Sequence, residues 1–181
     1  MDINSSAGLA LAILLVLQSS PGALHLMAPV CGSWTRISRG TSWRSCMNCF
    51  GDLSKEWITG ANQMISRCVV IMLLSIALHC NFLCEQPMGS SDVFPNHPRL
   101  SWLCNKVAVV WRNNFWMLHH GAKCPKRTTV WSVQRCLVLG LDKGKLKKAV
   151  KEKKATVKTT RKYVKKDGTM GFCGSSSLKG T

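Results

Sequence analysis

Three side chains of this chain could do covalent chemistry together if the fold gathers them. Cys31 lies in the loop Ala28-Pro29-Val30-Cys31-Gly32-Ser33-Trp34. Glu85 opens the turn Glu85-Gln86-Pro87. Arg127 closes the segment Gly121-Ala122-Lys123-Cys124-Pro125-Lys126-Arg127. Each falls at an expected strand end, and open parallel sheets bind ligands at the carboxyl ends of their strands. There a thiolate adds to an electron-poor ring carbon, a carboxylic acid protonates a ring nitrogen, and a guanidinium orients the group. Plainer readings stand beside these. Cys31 is then a loop or core thiol, Glu85 caps a helix N-terminus, and Arg127 is a surface cation beside Lys126.

The elements that must position these groups are read from periodicity and punctuation. Ser5 or Ser6 caps a predicted helix over residues 7–17, which Pro21 and Gly22 end, and residues 23–28 follow as a strand stopped by Pro29. By length, residues 7–17 also fit the apolar part of a secretory signal. Asp2, and the lack of Lys or Arg before the run, argue against it. Residues 61–87 decide the class of the protein. The run 68–78 is apolar except for Ser75, and at roughly half of the ~20 residues a bilayer needs it predicts a core helix. Asn81 is the expected helix stop. Residues 81–84 are then a short strand and residues 85–87 a turn, because a proline does not continue a central strand.

Further along, residues 99–106 predict a short helix with Leu100, Leu103 and Cys104 on one face. Residues 107–111 and 128–132 predict strands, residues 134–141 fit helix or strand, and Asp167-Gly168 predicts a hairpin turn. Strands alternating with helices give an α/β class. The expectation is a partial Rossmann-like layered domain with a mostly parallel sheet over residues 1–140, plus a basic C-terminal tail over residues 141–181 with a helix within residues 144–158.

Charge points to a partner. The net charge is +17, of which +10 falls in residues 141–181. Such a tail suits a polyanion, either nucleic acid or an anionic membrane surface, with a solvated tail as the plain alternative. Arg36, Arg39 and Arg44 alternate with Trp34 and Trp43, a mixture that suits phosphates and stacked bases. Trp34, the three arginines and Lys147, Lys148, Lys153 and Lys154 of the tail are the candidate nucleic-acid contacts. Ten cysteines, several inside apolar runs, read as reduced thiols of an intracellular protein, nuclear or cytoplasmic. Cys46-Met47-Asn48-Cys49 is a lone CxxC, and with no second ligand pair no metal is expected. A sheet of three or four strands leaves open edges, so a partner chain completing the sheet is a further expectation.

The order of the three landmarks resembles that of cytosine-5 DNA methyltransferases, whose nucleophile sits in a Pro-Pro-Cys loop and whose acid sits in a Glu-Asn turn. The resemblance implies that Cys31 attacks the base, Glu85 contacts its N3 edge and Arg127 helps hold the site. Val30 and Gln86 depart from that pattern. The Phe-x-Gly-x-Gly loop that holds S-adenosylmethionine in that family has no counterpart here, so no cofactor is identifiable beyond what the resemblance implies. The whole chain is also similar to uncharacterised proteins of dinoflagellate algae that share the Ala-Pro-Val-Cys, Glu-Gln-Pro and Pro-Lys-Arg-Thr landmarks. The reading that follows is a degenerate or truncated methyltransferase-like domain that binds nucleic acid and does not methylate DNA by itself. Two alternatives stand beside it. One is a small membrane protein with hydrophobic segments at 7–17 and 68–84 and a cytoplasmic basic tail. The other is a non-catalytic interaction module.

Overall fold

The computed structural model describes residues 2–90, 92–148, 150, 155–158 and 160–174. Lys153 and Lys154 lie outside the described residues, as do residues 149, 151 and 152; of the helix expected within residues 144–158, residues 144–147 and 155–158 are not helical.

The chain begins with α1 (Ser6–Leu17), where the Ser5 hydroxyl oxygen accepts from the Gly8 amide at 2.9 Å. This satisfies one of the amides that a helix start leaves unpaired. Strand β1 (Leu24–Met27) follows, then a single turn, α2 (Arg39–Ser42), and the long helix α3 (Glu56–Ala77). Helix α3 starts earlier than the apolar run suggested. Its first turn carries Glu56, which suits the positive end of a helix, and fully buried Ile58, which anchors that turn. It also stops before Asn81. His79 takes a left-handed conformation (φ 54°) and the Cys80 amide donates back to Ser75 O at 2.8 Å, closing the helix with a Schellman-type turn.

Strand β2 (Asn81–Pro87) runs straight through the segment expected to turn. Pro87 is tolerated because β1 pairs only with Asn81 to Cys84, so on that side no neighbour needs its missing N–H. Then come α4 (Pro98–Trp102), which passes into a wider π turn at Leu103–Val107, and β3 (Trp111–Trp116). The strand expected at residues 107–111 is displaced to β3. Pairing of Arg112, Asn113 and Asn114 with β4 overrides the β propensity of the valines before them. Strand β4 (Arg127–Ser132) and helix α5 (Arg135–Gly140) complete the layer. A hairpin of β5 (Thr160–Val164) and β6 (Met170–Gly174) turns at Gly168 (φ 80°) as expected.

The fold is mixed α/β, with a four-stranded sheet in the order β1-β2-β4-β3 and the separate two-stranded hairpin. The expectation of a mostly parallel sheet is corrected. Only β1 and β2 run parallel, and β4 is antiparallel to both of its neighbours. The reason lies in the connections. Parallel neighbours need a long crossover, which α3 supplies between β1 and β2. Between β3 and β4 there is only a short return through a 3₁₀ turn at Met117–His120.

Strand β2 alternates in burial, and its Phe82, Cys84 and Gln86 face the main core with Ile65, Val69 and Met72 of α3. Each such aliphatic or aromatic side chain contributes roughly 1.5–3 kcal/mol by leaving water. The other face holds a smaller cluster of Phe115, Val130 and Val138 under α5. Helix α3 is long and apolar enough to cross a membrane by length and composition, and 33% of that window is buried within the protein.

Candidate functional site

The register explains why the three landmarks lie towards one end of the sheet. Strands β1 and β2 run parallel, so Met27 and Pro87 end on the same side of the sheet. Strand β4 is antiparallel to β2, and its first residues return to that side, with Pro87 opposite Thr128. Trp116, at the end of β3, lies opposite Arg127. All four strands therefore bring an end to one edge.

The loop bearing Cys31 is pinned to that edge from beneath. The Gln86 side chain, fully buried, donates through Nε2 to the Pro29 carbonyl, and the Trp34 amide donates to Cys31 O at 2.9 Å. Gln86 thus supports the loop whose cysteine the sequence singled out. Beside it Lys126 Nζ reaches Glu85 Oε1 at 3.0 Å, an ion pair of two half-buried side chains. Arg127 lies exposed, its guanidinium 5.5 Å from the centre of the Trp116 ring.

Cys31, Lys126 and Arg127 border a cavity of about 660 Å³. Cys31, Arg36, Lys126 and Arg127 supply its polar wall, and Trp116 and Met117 part of its apolar wall. Glu85 is not on the wall and is joined to it through Lys126. Thr160 of β5 also lines the cavity, and the amides of Thr156 and Val157 both donate to Lys123 O, at 2.9 and 3.1 Å. The tail is therefore anchored at the rim of the cleft, beside the loop that carries Lys126 and Arg127.

Burial pushes the Cys31 thiol above its ordinary value. Lys126 pulls it down and Glu85 pushes it up. A cysteine nucleophile works as the thiolate, which usually requires the opposite balance. Here the nearest cation is already spent on Glu85.

The arginine–tryptophan loop is corrected more sharply. Trp34 and Arg44 are 1% and 2% exposed, and the guanidinium lies 3.5 Å from the centre of the Trp34 ring. Arg44 donates to Cys49 O, to Asn62 Oδ1 at 2.9 Å and to Ile58 O at 3.4 Å. Gly51 seals the place, since a Cβ there would come within 2.5 Å of Ser42 O and 2.8 Å of Arg44 Cγ. Neither Trp34 nor Arg44 reaches solvent, so neither can stack on a base or touch a phosphate. Arg39 and Arg36 both turn to Asp92, at 2.5 and 3.5 Å, and Arg36 keeps most of its side chain exposed at the cleft. Lys147 and Lys148 are exposed. Among the described residues no group of three or more His, Cys, Asp or Glu side chains is placed to hold a metal ion.

Sequence reasoning passed over Lys126 and Trp116. The signal for Lys126 was present in the run Lys126-Arg127 at the start of a β-prone stretch, but only the β3–β4 register shows that Trp116 stands opposite Arg127. Comparison with protein-family models, with curated proteins and with solved structures found no match for this chain.

Proposed function

We propose that this chain is a nucleic-acid-binding α/β domain with a degenerate methyltransferase-like layout, which holds one unstacked nucleotide of a single strand and does no chemistry by itself. The observation that carries this reading is the meeting of Cys31, Lys126 and Arg127, with Glu85 behind them, around one cavity at a single sheet edge. Its volume falls within the roughly 300–1,000 Å³ of small-ligand pockets. Trp116 offers a ring face for stacking, and Arg36, Lys126 and Arg127 offer charge for the backbone. Exposed Arg161 and Lys162 of the anchored hairpin extend that charge away from the rim. The raised Cys31 thiol and the paired Glu85 favour binding over catalysis.

The test is fluorescence anisotropy of a labelled single-stranded oligonucleotide across a salt series. Binding should fall steeply with salt. In a Lys126→Ala/Arg127→Ala variant the slope of log K against log salt should lessen by about 1.4, the value for two lost phosphate contacts on a single strand. An unchanged slope and affinity in that variant would place any binding elsewhere and end this reading. Methyl transfer to DNA by the purified chain would end its non-catalytic half.

A further inference from the structure

Helix α1 is apolar all round, and only half of it is covered. Its sequence Ser-Ala-Gly-Leu-Ala-Leu-Ala-Ile-Leu-Leu-Val-Leu contains no charged and no amide side chain. Gly8, Ala12 and Val16 form the buried side, with Ala12 and Val16 packed in a cluster with Ile71 of α3. On the other side Leu11, Leu14, Leu15 and Leu17 are 47%, 49%, 52% and 54% exposed. Positions 11, 14 and 15 are helical neighbours, so these leucines form one stripe. A soluble surface helix has a polar outer face, and this one has none. Beyond the helix the uncharged stretch is longer. From Ile3 to Thr35 there is no Asp, Glu, Lys or Arg.

We propose that this stripe is a membrane-docking face, which lays α1 in the interfacial plane of an anionic bilayer. Twelve residues make a helix of about 18 Å, short of the ~30 Å hydrocarbon core, so α1 lies on the membrane rather than spanning it. Two observations select lipid as the occupant. The stripe is made of leucine alone, while the anchors of protein interfaces are Trp, Tyr and Arg. The net charge of +17 is drawn to anionic lipid. The same charge repels a second copy of the chain. Arg67 of α3 donates to Ile3 O at 2.8 Å and to Ser5 O at 3.1 Å, so a cation already stands at one end of the stripe. This inference uses neither the cleft nor its ligand.

The experiment is flotation of the reduced full-length chain with vesicles of phosphatidylcholine, alone or mixed with phosphatidylserine. It compares wild type with Leu14→Ser/Leu15→Ser, a change that leaves net charge alone and touches only exposed side chains. Wild type is expected to float with the mixed vesicles and less so at high salt. The variant, with circular dichroism matching wild type, should lose at least about tenfold in partitioning, since each buried CH₂ counts for ~0.8 kcal/mol. Wild type that floats with neither vesicle overturns the proposal. So does a variant that floats as well as wild type, because charge alone then explains the binding. A dimer in sedimentation that the variant abolishes, without flotation, assigns the stripe to a second copy and overturns it as well.

Discussion

Arg44 and Arg127 each sit against an indole, and the two pairs differ in everything around them. Arg44 lies 3.5 Å from the centre of the Trp34 ring, sealed under Gly51, with two backbone carbonyls and the Asn62 amide as its acceptors. Burial pushes its guanidinium down to about 10. Arg127 lies 5.5 Å from the Trp116 ring at the lip of an open cavity. The first pair is part of what ties α2 and the loop after it to α3. The second is free to meet a ligand. Cations interleaved with aromatics therefore do not by themselves mark a binding surface. A guanidinium can be kept inside a core if an aromatic face and enough neutral oxygens replace its water.

The widest separation between the two regions should appear in stability. Arg44→Met leaves the Cys49 and Ile58 carbonyls and the Asn62 oxygen without their donor, and should cost about 3 kcal/mol in urea unfolding. Arg127→Met should stay within about 0.5 kcal/mol, as exposed substitutions do. Equal losses would break the contrast.

A pH titration sharpens it next. His97 stacks edge-on against Trp34 in the same buried knot, and burial, with Arg44 and Arg99 nearby, pushes it down to about 4. In the unfolded chain a histidine titrates near 6.5. Above that value both states are neutral and the contribution is fully present. Between about 6.5 and 4 the unfolded state takes up the proton first, so stability falls as pH falls, by at most about 3 kcal/mol. The urea midpoint should drop across this window in wild type, and His97→Phe should flatten the drop. A midpoint just as steep in that variant would assign the loss to other groups.

The smallest effect lies at the cleft. Cys31 should react slowly with iodoacetamide near neutral pH and faster as the solution becomes alkaline, followed residue by residue by mass spectrometry. Lys126→Met should slow it further, because Lys126 is the group that lowers the thiol. Cys84, fully buried with its thiol raised well above the ordinary value, serves as the unreactive control. A Cys31 that reacts fast at neutral pH would return it to the role of nucleophile.

What the sequence determined by itself was local. The Ser5 cap, the strand after Pro21-Gly22, the β-prone run at residues 128–132 and the Asp167-Gly168 turn rest on dihedral preferences and neighbours a few residues away. All four stand in the structure. The place of Cys31 just after β1 was legible too, but Glu85 lies within β2, and Arg127 reaches the same end only because β4 runs antiparallel.

Tertiary structure decided the rest. Residues 85–87 are strand because β4 pairs with them, and β3 sits at Trp111–Trp116 because β4 selects its register. Arg44 went inward because helix α3 brought the Ile58 carbonyl and the Asn62 side chain to it, and Trp34 is covered by Arg44, Phe94 and His97. Lys126 became the partner of Glu85 only when β2 and β4 ran antiparallel. In each case the deciding contact joins residues far apart in the chain. No window of sequence contains its energy, and a side chain's surroundings exist only after the strands have chosen their neighbours.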